Sequence, residues 1–198
     1  TTGIGNSSFG WKALYSNTTG NLNVAMGDQA LYSNTTGALN IGIGNSALLL
    51  NTTGNANIAI GGYSQDASTN TEYNVTLGYA TMTNSPSGDN NTVVGSWAGM
   101  SLEGDSNVCL GYKSCSNETG SNKLYISNDD SVELIYGDFS TGDLSLGQTS
   151  GTVTILNDAD IDGTLTLGSL SNVESSINTN TTNISSNDTD IASNTSNI

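Results

Sequence analysis

Residues 23–61 read NVAMGDQALYSNTTGALNIGIGNSALLLNTTGNANIAIG, and one phrase recurs through them. Asn-x-x-apolar-Gly begins at Asn23, Asn40 and Asn57, and between these anchors QALYSNTTG (29–37) is matched by SALLLNTTG (46–54). Working outward, the anchor returns at Asn6, Asn74, Asn91 and Asn107, which makes seven copies, five steps of 17 residues and a last step of 16. KALYSNTTG at 12–20 extends the intervening phrase, and Thr1-Thr2-Gly3 falls in register with Thr18-Thr19-Gly20.

This period is too short for a helical hairpin repeat. Val24, Met26, Ile41, Ile43, Ile58 and Ile60 alternate with period two, the period of a strand. The expected unit is a pair of short strands, one holding Asn-apolar-Ala-apolar-Gly and the other near Ala-Leu-Tyr. Asn-Thr-Thr-Gly and Gly-x-x-Ala supply the turns, where Gly and Asn tolerate positive φ. Coils stacked in register place like residues about 4.8 Å apart in parallel sheets, so that seven coils rise about 30 Å. Aliphatic ladders are expected inside and Asn ladders at the corners. The small ladder Ala25, Gly42, Ala59, Thr76, Val93, Cys109 lies on the other strand face, which is expected to pack against another chain.

Composition narrows the function. Asn, Ser, Thr and Gly fill 105 of 198 positions, 34% are hydrophobic, and the net charge is -15 with three lysines, no arginine and no histidine. That is too polar for an ordinary enzyme core. Low hydrophobicity suits a disordered chain, but charged residues reach only 11% and the apolar ones are strictly spaced. Without His, imidazole catalysis and His-ligated metals are excluded, and without a basic patch nothing neutralises nucleic-acid phosphates. No apolar run approaches the length of a membrane span, and the acidity opposes adsorption to anionic headgroups, so no membrane insertion is expected. No carboxylates pair at a spacing that suggests hydrolysis, and no enzymatic activity is expected. The chain opens within a repeat and stops at Ile198 within a periodic segment, and it reads as a fragment of something longer.

NVAMGDQAL, NIGIGNSAL and NIAIGGYS resemble the head repeats of trimeric autotransporter adhesins, the YadA-like head, over about residues 1–115. The longer unit ALYSNTTGxxNxAIG is similar to repeats of phage-type tail fibres. The resemblance implies a β-roll in each chain and association of three chains. The adhesin heads usually have a shorter unit, and Pro86 sits in a polar bulge spanning Thr83 to Asn90; the unit length favours the fibre branch.

Beyond residue 100 lie 14 of the 18 acids. Cys109 and Cys115 fall near facing strands of the last coil, so either a disulfide or two buried thiols is expected. Residues 122–147 read as short strands broken by Asn-Asp-Asp and Gly-Asp turns. From Thr152 the pattern alternates in the manner of a half-buried strand. Within it Asp158, Asp160 and Asp162 match the opening of a calcium loop, but Ser169 replaces the Glu an EF-hand requires, and three aspartates on the wet side of a strand account for the pattern, which leaves calcium a weak candidate.

Leu170, Ile177, Ile184, Ile191 and Ile198 fall seven apart, with Val173, Asn180, Asn187 and Asn194 three after an a position. This is a heptad with Ile at a and Asn at d, against which stands a disordered Asn/Ser/Thr linker. I-x-x-N-T resembles the stalk heptads of trimeric adhesins, in which Asn layers bind chloride. By that resemblance Asn180, Asn187 and Asn194 form anion layers, Thr181 and Thr195 match the following Thr, and Asp188 departs from it.

The expected fold is all-β: a homotrimeric parallel β-roll or solenoid of about seven coils over 1–120, a β-rich connector over 121–168 and a trimeric coiled-coil stalk over 169–198. The expected function is that of a homotrimeric fibrous attachment protein, an extracellular tail fibre or receptor-binding fibre of a virion contacting host-cell glycans or proteins. A bacterial cell-surface adhesin and a purely structural shaft are the alternatives. Trp11, Tyr15, Tyr32, Tyr63, Tyr79 and Trp97 are the candidate receptor contacts, which stack on sugars or else form packing ladders. An ice-binding solenoid is suggested by the Thr-Thr pairs at 18–19, 35–36 and 52–53, but these adjoin Gly in turns. Asn-x-Ser/Thr acceptors include Asn17, Asn34, Asn51, Asn74 and Asn117.

Overall fold

A computed structural model describes residues 2–129, 131, 133–147 and 171–196. Of the side chains in 171–196, those of residues 171–176 and of Asn194 lie outside that description. The chain forms two units, Thr1–Val153 and Thr154–Ile198.

The first unit is a β-solenoid of about seven turns. Each turn contributes one three-residue strand, namely β1 (Ser7–Phe9), β2 (Val24–Met26), β3 (Ile41–Ile43), β4 (Ile58–Ile60), β5 (Val75–Leu77), β6 (Thr92–Val94) and β7 (Val108–Leu110). All pair in parallel and in register, so Ile41 lies between Val24 and Ile58, and Gly42 between Ala25 and Ala59. β8 (Lys123–Ser127) adds to β7 in parallel, then β9 (Glu133–Asp138) and β10 (Asp143–Leu146) turn antiparallel. The result is one ten-stranded sheet in sequence order, running without a break past residue 120.

Two expectations are corrected. The aliphatic ladder does not face inward. Ala25, Ala59, Thr76, Val93 and Cys109, the middle residues of their strands, have no exposed surface, whereas Met26 and Leu77 are each 45% exposed. A 17-residue coil closes too tightly to hold two rows of Ile, so the row of small residues fills the interior and the large aliphatics point out. The small face therefore packs within the single chain and is not free to meet another.

The segment around Ala-Leu-Tyr is not a strand. Every second residue there has positive φ, as at Gln29 (57°) and Leu31 (52°), Ser46 (55°) and Leu48 (54°), and Ala80 (52°) and Met82 (51°). For residues with a Cβ this costs about 1–2 kcal/mol each. Hydrogen bonds between coils offset it: Leu31 N–H donates to the Ala47 carbonyl at 2.9 Å, and Gln29 N–H donates the other way to Trp11 at 2.8 Å. The geometry also turns Leu31 and Leu48 fully into the core.

The interior consists of two apolar clusters, Ala25, Ala30, Leu31, Ala47, Leu48 and Ala59 in one, and Met82, Val93, Ala98, Leu102, Cys109 and Cys115 in the other. Between them lies a polar layer of buried Ser64, Gln65 and Thr76. Ser64 Oγ and Thr76 Oγ1 share a hydrogen bond of 2.8 Å, and Gln65 Nε2 donates to Thr71 Oγ1 at 2.9 Å. At the corners, buried Asn side chains run the length of the solenoid. The Asn40 amide donates to the Gly54 carbonyl at 2.8 Å and accepts the Asn57 N–H at 3.0 Å. A second amide row, Asn17, Asn34 and Asn51, stops after three coils, because Ser68 stands where the fourth would be and donates to the Ser85 carbonyl at 2.7 Å. Gly27 ends its strand at φ 138°, and a Cβ there would come within 2.4 Å of the Gly44 carbonyl oxygen. Pro86 occupies an exposed turn without interrupting the ladder, since Asn91 N–H still reaches Asn74 Oδ1 at 2.9 Å.

The second unit contains α1 (Ser171–Ser196), 26 residues, or about 39 Å at 1.5 Å per residue. The Asp158, Asp160 and Asp162 calcium loop, Leu170, Ile198 and the side chain of Asn194 lie outside the described residues.

Candidate surface aromatic sites

The aromatics collect where each coil leaves its strand and rounds the next corner. Tyr15 and Tyr32 occupy one column, and their rings stack at 5.3 Å with planes 3° apart. Lys12 Nζ lies 4.3 Å from the Trp11 ring centroid, 5.5 Å from Tyr15 and 5.7 Å from Tyr32. One ammonium thus gathers three rings, held by attraction to their π faces. Trp11 and Tyr15 nonetheless remain 62% and 65% exposed.

A second group forms from Tyr63, Tyr79 and Trp97, joined edge to face at 5.9 and 5.8 Å. The structure therefore brings the six named aromatics together as two triads rather than one continuous ladder. Sequence reasoning missed Lys12 as the centre of the first triad, although it is the one basic residue before Lys113. It also missed exposed Tyr73 and Tyr112, the latter 5.6 Å from Lys113 Nζ.

Cys109 and Cys115 are joined by a disulfide, with Cα atoms 5.9 Å apart, in the second apolar cluster. Of the five named glycosylation acceptors, Asn17, Asn34, Asn51 and Asn74 are buried; Asn117 is exposed. The hydroxyls of Thr18, Thr35 and Thr52 are engaged with the carbonyl of the next coil at 2.8–3.0 Å, and the segments carrying them are not strands. In α1, Asn180, Asn187 and the three isoleucines Ile177, Ile184 and Ile191 are exposed on the single chain.

Charge is locally organised in the hairpin. Lys123 Nζ and Asp138 Oδ2 approach to 2.5 Å. The Asp138 carboxyl is held well below its ordinary range by hydrogen bonds from Lys123 and then Ser140, and Lys123 is raised, chiefly by Asp138. Among the described residues no group of three acidic, Cys or His side chains is placed to hold a metal, and no helix is long and apolar enough to cross a membrane. The chain matches no protein-family model, no curated protein and no solved structure.

Proposed function

We propose that the chain is part of a homotrimeric fibrous attachment protein, of the tail-fibre or receptor-binding-fibre kind, which contacts host-cell surface glycans or proteins and carries out no catalysis. The observation that carries this reading is the outward aliphatic face of β1–β7. Phe9, Met26, Ile43, Ile60, Leu77, Val94 and Leu110 stand in one column on successive coils, partly or largely exposed. A contiguous apolar strip of this length is unusual on a monomer and marks an association surface. Further copies of the same chain suit it, because an in-register column is complementary to its own repeat. The YadA-like and fibre-like repeats support three copies, and the Ile heptad of α1 supports a trimeric coiled coil with Asn180, Asn187 and Asn194 at anion layers.

Exposed rings on a repetitive rod suit weak, multivalent contact with sugars or proteins. The buried disulfide is consistent with an oxidising, extracellular setting, as on a virion or a bacterial surface. A purely structural shaft is the second reading, favoured by the Tyr15–Tyr32 stack, in which rings satisfy one another.

Sedimentation equilibrium of the full chain is expected to give three times the 20.3 kDa chain mass. The Met26→Ser/Ile43→Ser/Ile60→Ser variant is expected to shift it toward the single chain. Cell binding by the full chain should fall at least tenfold in Trp11→Ala/Tyr15→Ala/Tyr32→Ala. A trimer that binds cells equally well with or without those rings would favour the shaft, and a monomer would defeat the proposal.

A further inference from the structure

At the C-terminal end of the solenoid a cleft of about 180 Å³ opens between the last coil and the β8–β9 hairpin, lined by Glu118, Tyr125, Ser127, Asp129 and Glu133 among others. Its position follows from register. Tyr125 pairs with Cys109, so Tyr125 lies on the inward strand face, and Ser127, two residues on, shares that face. No further coil covers them, because β9 turns back antiparallel.

Three of the lining side chains are carboxylates and none is basic. Tyr125 donates its hydroxyl to Glu118 Oε2, and Gly120 N–H donates to Glu118 Oε1 at 2.5 Å, so Glu118 is fixed in place. Asp129 Oδ1 is likewise oriented by the Ser131 N–H at 3.0 Å and Oγ at 2.9 Å. Burial first, then Glu118, raises the Tyr125 hydroxyl above its ordinary range, with Glu133 adding to it. The charges of Glu118 and Glu133 are therefore both felt at the same phenol.

A separate observation points to an occupant. Ser127 is 6% exposed and its Oγ is buried without a hydrogen-bond partner. A buried hydroxyl left unmatched costs about 1–3 kcal/mol, and it lies on the wall of an acidic cleft.

We propose that this cleft binds a guanidinium group, the arginine side chain of a partner protein. Its acidity selects a cation. The carboxylates do not converge as a metal-binding set among the described residues, which disfavours a divalent ion. They come from two sides, Glu118 on the last coil and Asp129 and Glu133 on the hairpin. A planar fork of five N–H donors spans such a divided acceptor set better than a compact ammonium, and it stacks on an aromatic ring such as Tyr125. The volume is below that of drug-sized sites, which suits one side chain. None of these 198 residues is arginine, so no side chain among them supplies the group. The inference goes beyond attachment and does not depend on it.

The test is an amide NMR titration of the full chain with the peptide acetyl-Gly-Arg-Gly-amide, its citrulline counterpart and calcium chloride. The arginine peptide is expected to shift the amides of Asn117, Ser127 and Glu133 saturably, and the uncharged citrulline peptide to bind at least tenfold more weakly. Glu118→Gln, which still accepts from Tyr125, and Glu133→Gln should each weaken the arginine peptide about tenfold, with Asp28→Asn unchanged. Ser127→Ala supplies a variant with the charges intact and is expected to weaken it severalfold. Equal response to both peptides, no response to either, or saturable shifts with calcium alone would overturn the proposal. Cell attachment, retained or lost, leaves this titration unaffected.

Discussion

Asn40 supports Asn57 through its side chain: its Oδ1 accepts the Asn57 backbone N–H at 3.0 Å and the Asn57 Nδ2 at 3.2 Å, while its own Nδ2 reaches the Gly54 carbonyl at 2.8 Å. Neither residue has any exposed surface. One amide thus joins two successive coils and ties the end of its own turn. The same role falls to Asn23, Asn74 and Asn91, which is why the period is anchored on Asn rather than on an apolar residue.

Asn40→Ala would strand the buried Asn57 N–H, while the Gly54 carbonyl keeps the Asn51 amide at 3.1 Å. At about 1–3 kcal/mol for a buried group left unmatched, the expected loss is about 2 kcal/mol. Urea unfolding of the full chain measures it. A loss below about 1 kcal/mol would mean that water replaces the amide and that the corner is not sealed.

The period, the strand motif and the Asn rows were legible because each is a local pattern repeated at a fixed step, whereas the Cys pair left a disulfide and two thiols open until the structure joined Cys109 to Cys115. The side that faces in was not. Alternation at Ile41, Gly42 and Ile43 defines two faces but not which is enclosed, and hydrophobicity alone selects the larger residues. Closure decides otherwise, because the coil has room only for the Ala25–Gly42–Ala59 row. The positive φ values at Leu31 and Leu48 were illegible for a different reason. Leu avoids that region by itself, and only the hydrogen bonds between coils make it favourable. Lys12 stands where the later copies have Gln29 and Ser46, and the Glu118–Ser127 cleft lies where the repeat ends, so the repeat pattern marked neither.

Gln65 occupies the column that holds Leu48 one coil before and Met82 one coil after, and its Oε1 is buried without a partner. Gln65→Leu removes that oxygen and joins the two apolar clusters, at the loss of the bonds to Thr71 Oγ1 and to Asn57 Oδ1, the latter still accepting the Asn74 N–H. The net effect expected is a gain of about 1 kcal/mol. Thermal unfolding of the two proteins in parallel reads the sign, and a clear loss would show that the polar layer holds register.

Asp66 lies in the Tyr15–Tyr32 column and accepts a hydrogen bond from Thr83 Oγ1 at 2.7 Å. Burial raises its pKa above the ordinary 3.8, against the Thr83 bond, which lowers it. A folded-state value above the unfolded one means that the folded chain holds the proton more tightly. Stability is therefore lost as pH rises through the folded value, and Asp66→Asn is expected to stabilise the chain near neutral pH. The gain should be under about 1 kcal/mol, because the carboxylate is only half-buried and solvent screens it. It should vanish below pH 3.8, where Asp66 is protonated in both states. Melting temperatures at the two pH values test this; a gain independent of pH would assign the effect to something other than charge.

The helix α1 is built from residues that disfavour helix. Asn, Ser and Thr dominate it, no basic residue closes its last turn, and Thr181, Thr182, Ser185 and Thr189 return their hydroxyls to the carbonyl four residues back at 2.9–3.0 Å. Ile177, Ile184 and Ile191 stand 57%, 61% and 63% exposed at heptad spacing, so burial of these three side chains does not repay the ordering of the backbone in the single chain. Helix and association should therefore be one equilibrium. The helical circular-dichroism signal of the full chain is expected to fall on dilution, while the solenoid's tyrosine and tryptophan signals do not. Ile184→Asn places a third amide between Asn180 and Asn187 and removes the central apolar layer; it is expected to abolish the helical signal at concentrations where the parent chain retains it. A helix that persists on dilution, and in that variant, would mean that its stability comes from somewhere other than the isoleucine seam.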